Sequence, residues 1–413
     1  MVFNSSIRYV DGSLRIDDVA VAAIAREVGT PTYVYSLKRI GANYERLREA
    51  FAPLAGQIHY SVKANGSLAV LRSLAAAGAG FDCVSAGEID RCVRAGARAE
   101  DIVFAGVGKT RAEIAFAVSQ GIGWFNVENL AELSYINNAA AAMGADAVKV
   151  ALRLNPQVTA NTHPYMATGH GAAKFGLTAD AVGEILTRTS DFSRLDFAGI
   201  HLHVGSQLGD TAATLTALDA ALELVAGHPR VRTINLGGGL PVAYRFGDEQ
   251  PSLGGLVSQL DSRLRGYEVL LEPGRSIVAD AGVLVAEVLY VKRQAGQVFT
   301  IIDASMSELV RPALYDAHHE VAPLRKTIGE TVRAQVAGPV CESADVLARD
   351  RQLPRLQAGD RVALLTAGAY GMSMASNYNA RPRPAEVVVS ESGAEWRVSR
   401  RRESFDDLAR FEK

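Results

Sequence analysis

The sequence predicts an α/β protein: a (β/α)8 TIM-like barrel over residues 37–280, plus a mostly β C-terminal domain over 281–413 joined by an N-terminal strand segment within 1–36. Three observations carry this. Eight short apolar, β-branched or aromatic runs occupy the first two thirds of the chain, each closed by a polar residue or glycine and followed by a helix-like stretch. The first four begin at 58, 80, 102 and 124, a constant interval of 22 residues that fits one strand, one short helix and two tight turns. Past Arg275 the texture changes to strands separated by turns, with little helix between them.

Taken in order, PTYVYS (31–36) reads as a strand belonging with the later β domain, and it leads into a helix over 37–50. The eight barrel runs are IHYSV (58–62), GFDCV (80–84), IVFAG (102–106), WFNVE (124–128), VKVALRL (148–154), FAGIHLHV (197–204), TINLG (233–237) and VLLEP (269–273). Helices are expected between them, as over 67–77, where Leu68, Leu71 and Leu74 recur at three-residue spacing, and over 112–120. The Ala-rich stretch 139–145 reads as a helix end. The connection 156–176 lacks periodicity and is too long for a plain connector, so it is expected to be a lid or a substrate-facing insertion. Beyond the barrel, VLVAEVLYV (283–291), VFTIID (298–303), RVALL (361–365) and AEVVVS (385–390) read as strands.

Composition narrows the function. Lys and Arg number 43 against 45 Asp and Glu, so the net charge of −2 provides no basic field for nucleic acid or an acidic membrane. The 48% hydrophobic and 21% charged content excludes disordered and fibrous classes. No window approaches ~18 uninterrupted apolar residues, and the first residues lack a basic segment followed by an apolar one, so a cytoplasmic location is expected. Cys83, Cys92 and Cys341 form no CxxC pair, which argues against a disulfide framework or structural zinc.

A barrel carries its chemistry at the C-terminal ends of its strands. Lys63 follows the first run; a surface lysine is the plain reading, but one at a barrel mouth can become an unprotonated amine able to condense with a carbonyl cofactor. Gly237, Gly238 and Gly239 end the seventh run, either as a flexible turn or as bare backbone that approaches a phosphate. Glu272-Pro-Gly-Arg275 closes the eighth, either as a surface ion pair or as a carboxylate for a pyridine nitrogen beside a cation for a phosphate. His201 and His203 share a strand face without a third metal ligand at a telling spacing, so an imidazole packed on a planar cofactor is preferred to a metal site. Ser206 offers a hydroxyl to the same phosphate, and Cys341 with Glu342 is either inert or reactive. Gly108-Lys109-Thr110 ends like a phosphate-binding loop, but that pattern needs glycine at Val103.

With these residues assembled, the chain resembles the fold-type III decarboxylases that use pyridoxal 5′-phosphate. The likeness covers nearly the whole length, through GTPTYVYS, YSVKAN, GFDCVSAGE, THPYMATG with AKFG, HLHVGSQ, NLGGG, LLEPGR, RPALYDAHHE, GPVCESAD and GAYGMSMASNYNARPRP. It implies that Lys63 holds the cofactor covalently, His203 stacks on its ring, Glu272 meets the pyridine nitrogen, and Ser206, Gly239 and Arg275 lie at phosphate or substrate oxygens. Gly237, Gly238, Gly274 and Tyr370 complete the implied cofactor-binding set. It also implies a homodimer with shared active sites, in which Cys341 donates a proton from the partner chain, Glu342 meets a distal amino group, and Tyr370 reaches cofactor and substrate.

The branch most resembled acts on meso-diaminopimelate, which carries a distal carboxylate that an α,ω-diamine precursor lacks. Arg311 and Tyr315, four apart behind a helix-starting Pro312, can present a guanidinium and a phenol to it on one face. The expected activity is therefore decarboxylation to L-lysine, with Arg275 also in the substrate set. A decarboxylase of another basic amino acid or carboxylated polyamine stays open, as does a catalytically silent regulatory protein; a racemase on the same scaffold usually carries arginine at the place of Glu272. Two departures are Pro241, where the family often has glycine, and His318, where it often has tyrosine.

Overall fold

The computed structural model describes residues 3–158, 169, 173–326 and 329–412. It divides into two compact units, one formed by Tyr44–Pro241 and Gln250–Arg275, the other by Met1–Asn43, Val242–Glu249 and Ser276–Lys413.

The first unit is a closed barrel of eight parallel strands in sequence order: β1 (Gln57–Ser61), β2 (Gly80–Cys83), β3 (Ile102–Phe104), β4 (Trp124–Val127), β5 (Val148–Leu154), β6 (Leu195–Leu202), β7 (Thr233–Asn235) and β8 (Glu268–Leu271). Every run read from the sequence forms one of them. Side chains alternate between faces along a strand, and here one face changes character on the way up. Trp124, Ala151 and Leu270 belong to a buried apolar cluster with Val103 and Ala198. Two residues further along the same faces stand Asn126, Arg153 and Glu272, all buried. A greasy plug thus closes the strand starts, and a polar layer occupies the strand ends, where a barrel's loops gather.

Five of the helices between the strands begin as capping chemistry dictates. Ser85, Asn129, Thr178 and Ser252 each accept a first-turn N–H, and Thr110 forms a full capping box with Glu113. This gives Gly108-Lys109-Thr110 its role: Thr110 starts a helix, while Lys109 is buried and donates to the carbonyls of Gly106 and Asn126 and to Glu132. Within the connection 156–176, residues 159–168 and 170–172 lie outside the described residues, and with them the expected lid.

The second unit is a nine-stranded sheet beside a small three-stranded one, Ile7–Val10, Ser13–Ile16 and Val19–Ala20. Its spine is the long strand Gly282–Gln294, whose first half pairs antiparallel with both Thr32–Ser36 and Arg361–Leu364 and whose second half pairs with Gln297–Ile302. The segment read as PTYVYS is therefore an interior strand of this sheet, parallel to Ala385–Val389 on its other side. Val34, Val283, Val285 and Val387 bury one face against Ile7, Leu14, Ile16 and Ile24. The strands Val321–Pro323, Thr331–Ala337, Val346–Pro354 and Trp396–Arg400 were not legible, because charged residues interrupt most of them. Among the described residues no helix is long and apolar enough to cross a membrane.

Candidate active site

In the barrel unit, β1 ends in a single 3-10 turn, Val62–Ala64, that carries Lys63. The Lys63 ammonium donates to Asp82 Oδ2 at 2.9 Å, and the Ser61 hydroxyl donates to the same oxygen at 2.6 Å. Strand register explains the meeting, since Ser61 and Asp82 are direct neighbours across β1 and β2. Asp82 is fully buried, whereas the Lys63 side chain is 39% exposed. The amine therefore sits at the mouth of the barrel with a buried anion beneath it. Sequence reasoning passed over Asp82, although a charged residue inside the apolar run GFDCV was the available signal.

Glu88, half-buried at the start of the next helix, accepts the Val84 N–H at 2.8 Å. Burial pushes its carboxyl up to about 7 from 4.5, with Asp82 adding and Lys63 opposing. An acid raised in this way binds more protons folded than unfolded, so its contribution to stability is complete below the unfolded value and lost as pH rises through the folded one. Between pH 4.5 and 8 the cofactor-free protein should therefore lose up to about 3 kcal/mol more stability than a Glu88→Gln variant. Denaturant midpoints across that range measure the difference.

Glu272 follows β8, the strand paired with β1, and is surrounded by donors. Asn126 and Asn235 each donate to Oε1 at 2.7 Å, and His201 Nε2 lies 3.0 Å from Oε2. His201 and Asn235 are register neighbours on β6 and β7, so two of the three donors arrive together. A carboxylate needs a proton from the ring, so His201 carries its hydrogen on Nε2; Nδ1 is buried without a partner among the described residues. Burial alone would raise the Glu272 carboxyl, but the His201 ring, the Lys63 charge and the Asn235 amide outweigh it and hold the group well below the ordinary carboxylate range. Glu272 is a buried, fixed anion. The EPGR pair does not form an ion pair: Arg275, also buried, instead donates to the Ser206 hydroxyl at 3.1 Å.

His203 is two residues beyond His201 and half-buried. Its Nδ1 accepts the Gly238 N–H at 3.1 Å. Burial, then the charges of Arg153 and Lys63, push its pKa well below the ordinary histidine value, which leaves a neutral ring. The three glycines are sterically required here: a Cβ would lie 2.3 Å from the Leu202 carbonyl at Gly237, 2.5 Å from the Glu272 carbonyl at Gly238 and 2.7 Å from the Gly205 carbonyl at Gly239. Two of their N–H groups are used internally, that of Gly237 by Asn235 Oδ1 and that of Gly238 by His203. The run is therefore first a close-packed turn that orients His203 and Asn235, and less of an open anion nest than the residues suggested. At Gly274 a Cβ would stand 2.9 Å from that of Ser61, so this glycine lets the EPGR loop close on the Lys63 turn.

The second unit holds the remaining candidates. Arg311 opens the short helix Arg311–Tyr315 and is buried, with Tyr315 at its end. Cys341 and Glu342 form an exposed turn in which the Cys341 thiol donates to Asn379 Oδ1 at 3.5 Å and the Tyr378 hydroxyl donates to Glu342. Tyr370 lies in a loop with left-handed backbone, φ 55°. His318 bridges Glu320 and Arg351 at 2.9 and 2.8 Å. Asn126, Asn235, Tyr378 and Asn379 were all missed, since a lone polar side chain announces nothing until its partner from another strand or loop is known.

A barrel whose mouth brings together an amine over a buried acid, a carboxylate kept anionic at the end of the adjoining strand and a neutral imidazole fits a cofactor with an aldehyde and a basic ring nitrogen. The Ser206–Arg275 pair fits that cofactor's phosphate. Residues 37–279 match the family described as "Pyridoxal-dependent decarboxylase, pyridoxal binding domain", and the chain belongs to that class of enzyme. Within the class it belongs to the diaminopimelate decarboxylase family. It is 44% identical over 407 residues to diaminopimelate decarboxylase of Pseudomonas aeruginosa, covering 97% of each chain, and 42% identical over 407 residues to that of Vibrio cholerae, covering 96% of each. The crystal structure of diaminopimelate decarboxylase from Helicobacter pylori complexed with L-lysine superposes with a TM-score of 0.90 at 37% identity, covering 95% of this chain and 99% of that one.

Proposed function

We propose that the protein decarboxylates meso-2,6-diaminopimelate to L-lysine and CO₂, the last step of lysine biosynthesis, with pyridoxal 5′-phosphate as cofactor. The observation that carries this reading is that similarity to diaminopimelate decarboxylases runs end to end, through the β-rich unit as well as the barrel. When bound, the cofactor supplies an aldehyde that captures amines and a ring that draws electrons from the scissile bond.

The chain supplies the rest. The Lys63 amine would hold the cofactor's aldehyde, and Asp82, itself held by the Ser61 hydroxyl, is the anion placed to receive that amine as an ammonium whenever it is free. Glu272 retains a proton on the ring nitrogen because its own proton affinity has been suppressed. His203 packs on the ring face, Ser206, Gly239 and Arg275 lie at the phosphate, and Gly237, Gly238, Gly274 and Tyr370 line the cofactor around it. Cys341 is the general acid that returns a proton to carbon; the Asn379 contact orients its S–H. Arg275 and Tyr370 also meet substrate, Arg311 and Tyr315 take the distal carboxylate, and Glu342 takes the distal ammonium. The barrel domain in this reading spans 37–280, and the location is the cytoplasm.

We place Cys341 and Glu342 in the active site of a second copy, in a homodimer. Lys63→Ala and Cys341→Ala proteins, each inactive, should then complement: unfolded and refolded together, they regain about a quarter of wild-type turnover, from the one intact site in each mixed dimer. No recovery on mixing would refute the shared site. The activity itself is tested by incubating the holoenzyme with meso-diaminopimelate and measuring lysine, beside CO₂ release from ornithine, arginine and a carboxylated polyamine. Reaction with ornithine in place of diaminopimelate would overturn the substrate, and absence of a borohydride-trapped cofactor would revive the silent-protein reading.

A further inference from the structure

We infer that His319 and Tyr244 are positioning residues that fix the plane of the Arg311 guanidinium for a ligand carboxylate, and so set the preference for substrates with a distal carboxylate. The inference rests on the reading that Arg311 binds that group. Arg311 Nη1 lies 2.9 Å from His319 Nε2, and its guanidinium carbon stands 4.5 Å from the centre of the Tyr244 ring. Tyr244 in turn meets the His319 ring edge-on, with centroids 5.5 Å apart. Arg311 and His319 are both buried, at 3% and 0% exposure.

The hydrogen positions on His319 follow from its neighbours. Arginine only donates and a carbonyl only accepts. His319 Nδ1 is 2.8 Å from the Leu365 carbonyl and must carry the hydrogen, so Nε2 presents its lone pair to Arg311. A second proton on this ring would point a donor at a donor, which keeps His319 neutral. The Leu365 N–H also returns to the Glu320 carbonyl at 2.8 Å, so the backbone that accepts from the His319 ring is itself held to the residue beside it.

The choice of a neutral acceptor has a consequence. An aspartate or glutamate in this place would hold the guanidinium equally well and would cancel the charge needed by an incoming carboxylate. An imidazole and an aromatic face fix one edge and one face of the fork without that loss. A two-pronged grip on a carboxylate tolerates only ~10–20° of misalignment, so this support decides whether Arg311 discriminates.

The test uses two ligands of the holoenzyme. L-Lysine keeps the distal carboxylate and cadaverine lacks it. His319→Leu is expected to weaken L-lysine binding about tenfold or more, to raise KM for diaminopimelate similarly while changing kcat much less, and to leave cadaverine within about twofold. His319→Gln, which can still accept from Arg311 and donate to Leu365, should restore most of the loss. Tyr244→Leu, at a half-buried site with little risk to folding, should weaken L-lysine about threefold and spare cadaverine. Equal weakening of both ligands, or an unchanged L-lysine affinity in both the His319→Leu and Tyr244→Leu proteins, would overturn the inference. Arg311→Gln separates the two levels: if it leaves the lysine-to-cadaverine ratio unchanged, the distal-carboxylate reading itself falls; if it shifts the ratio and the supporting variants do not, only the positioning role falls.

Discussion

Lys63→Ala is expected to reduce turnover below detection and to remove the mass increment that borohydride otherwise leaves on the chain. Lys109, the buried lysine among the described barrel residues, cannot take over, since it is held by two carbonyls and Glu132. The substitution should also cost stability, because it strands the Asp82 charge in the barrel. Removing one partner of a fully buried pair costs about 3–5 kcal/mol, and the 39% exposure of Lys63 reduces that to about 1–3 kcal/mol here. Lys63→Ala combined with Asp82→Asn should recover the stability and none of the activity. Denaturation curves beside turnover measurements separate the two roles of one amine, and normal turnover by the single variant would refute the assignment.

Glu272→Gln should lower kcat by about 10²- to 10⁴-fold with the fold intact. The amide matches the carboxylate in shape, and its oxygen can still accept from Asn126 and Asn235. Its NH₂ would face His201 Nε2, and His201 can answer by moving its hydrogen to Nδ1, at a cost of about 1–3 kcal/mol because that nitrogen is buried without a partner among the described residues. The neighbours therefore adapt, and what disappears is the negative charge that retains the ring proton. The cofactor's absorption spectrum should shift along with the rate. An unchanged spectrum and kcat would show that Glu272 does not face the cofactor nitrogen.

Much of the architecture was legible because it is written in local periodicity. Short apolar runs, the first four evenly spaced and each followed by a helical pattern, have few realisations other than a parallel barrel, and the strand ends then nominate Lys63, His203, the three glycines and Glu272. PTYVYS was assignable to the β domain by character, but its place in the middle of the sheet, between Gly282–Gln294 and Ala385–Val389, was not. The grouping of Val242–Glu249 with the β-rich unit was equally hidden, although it delivers Tyr244 to Arg311. In both cases partners far apart in the chain set the outcome, and hydropathy carries no record of pairing.

The division follows from what each level of organisation can encode. Apolar runs and turn chemistry act over a few neighbours, so the chain alone determined that strands would alternate with helices and which motifs would stand at the strand ends. Charge state and orientation depend on what surrounds an atom once the barrel closes. The acid at 272 became a permanent anion only when Asn126, His201 and Asn235, brought from three other strands, turned their donors on it. The lysine at 63 acquired its counter-ion through register with β2, and the imidazole at 319 its tautomer from a carbonyl 46 residues away.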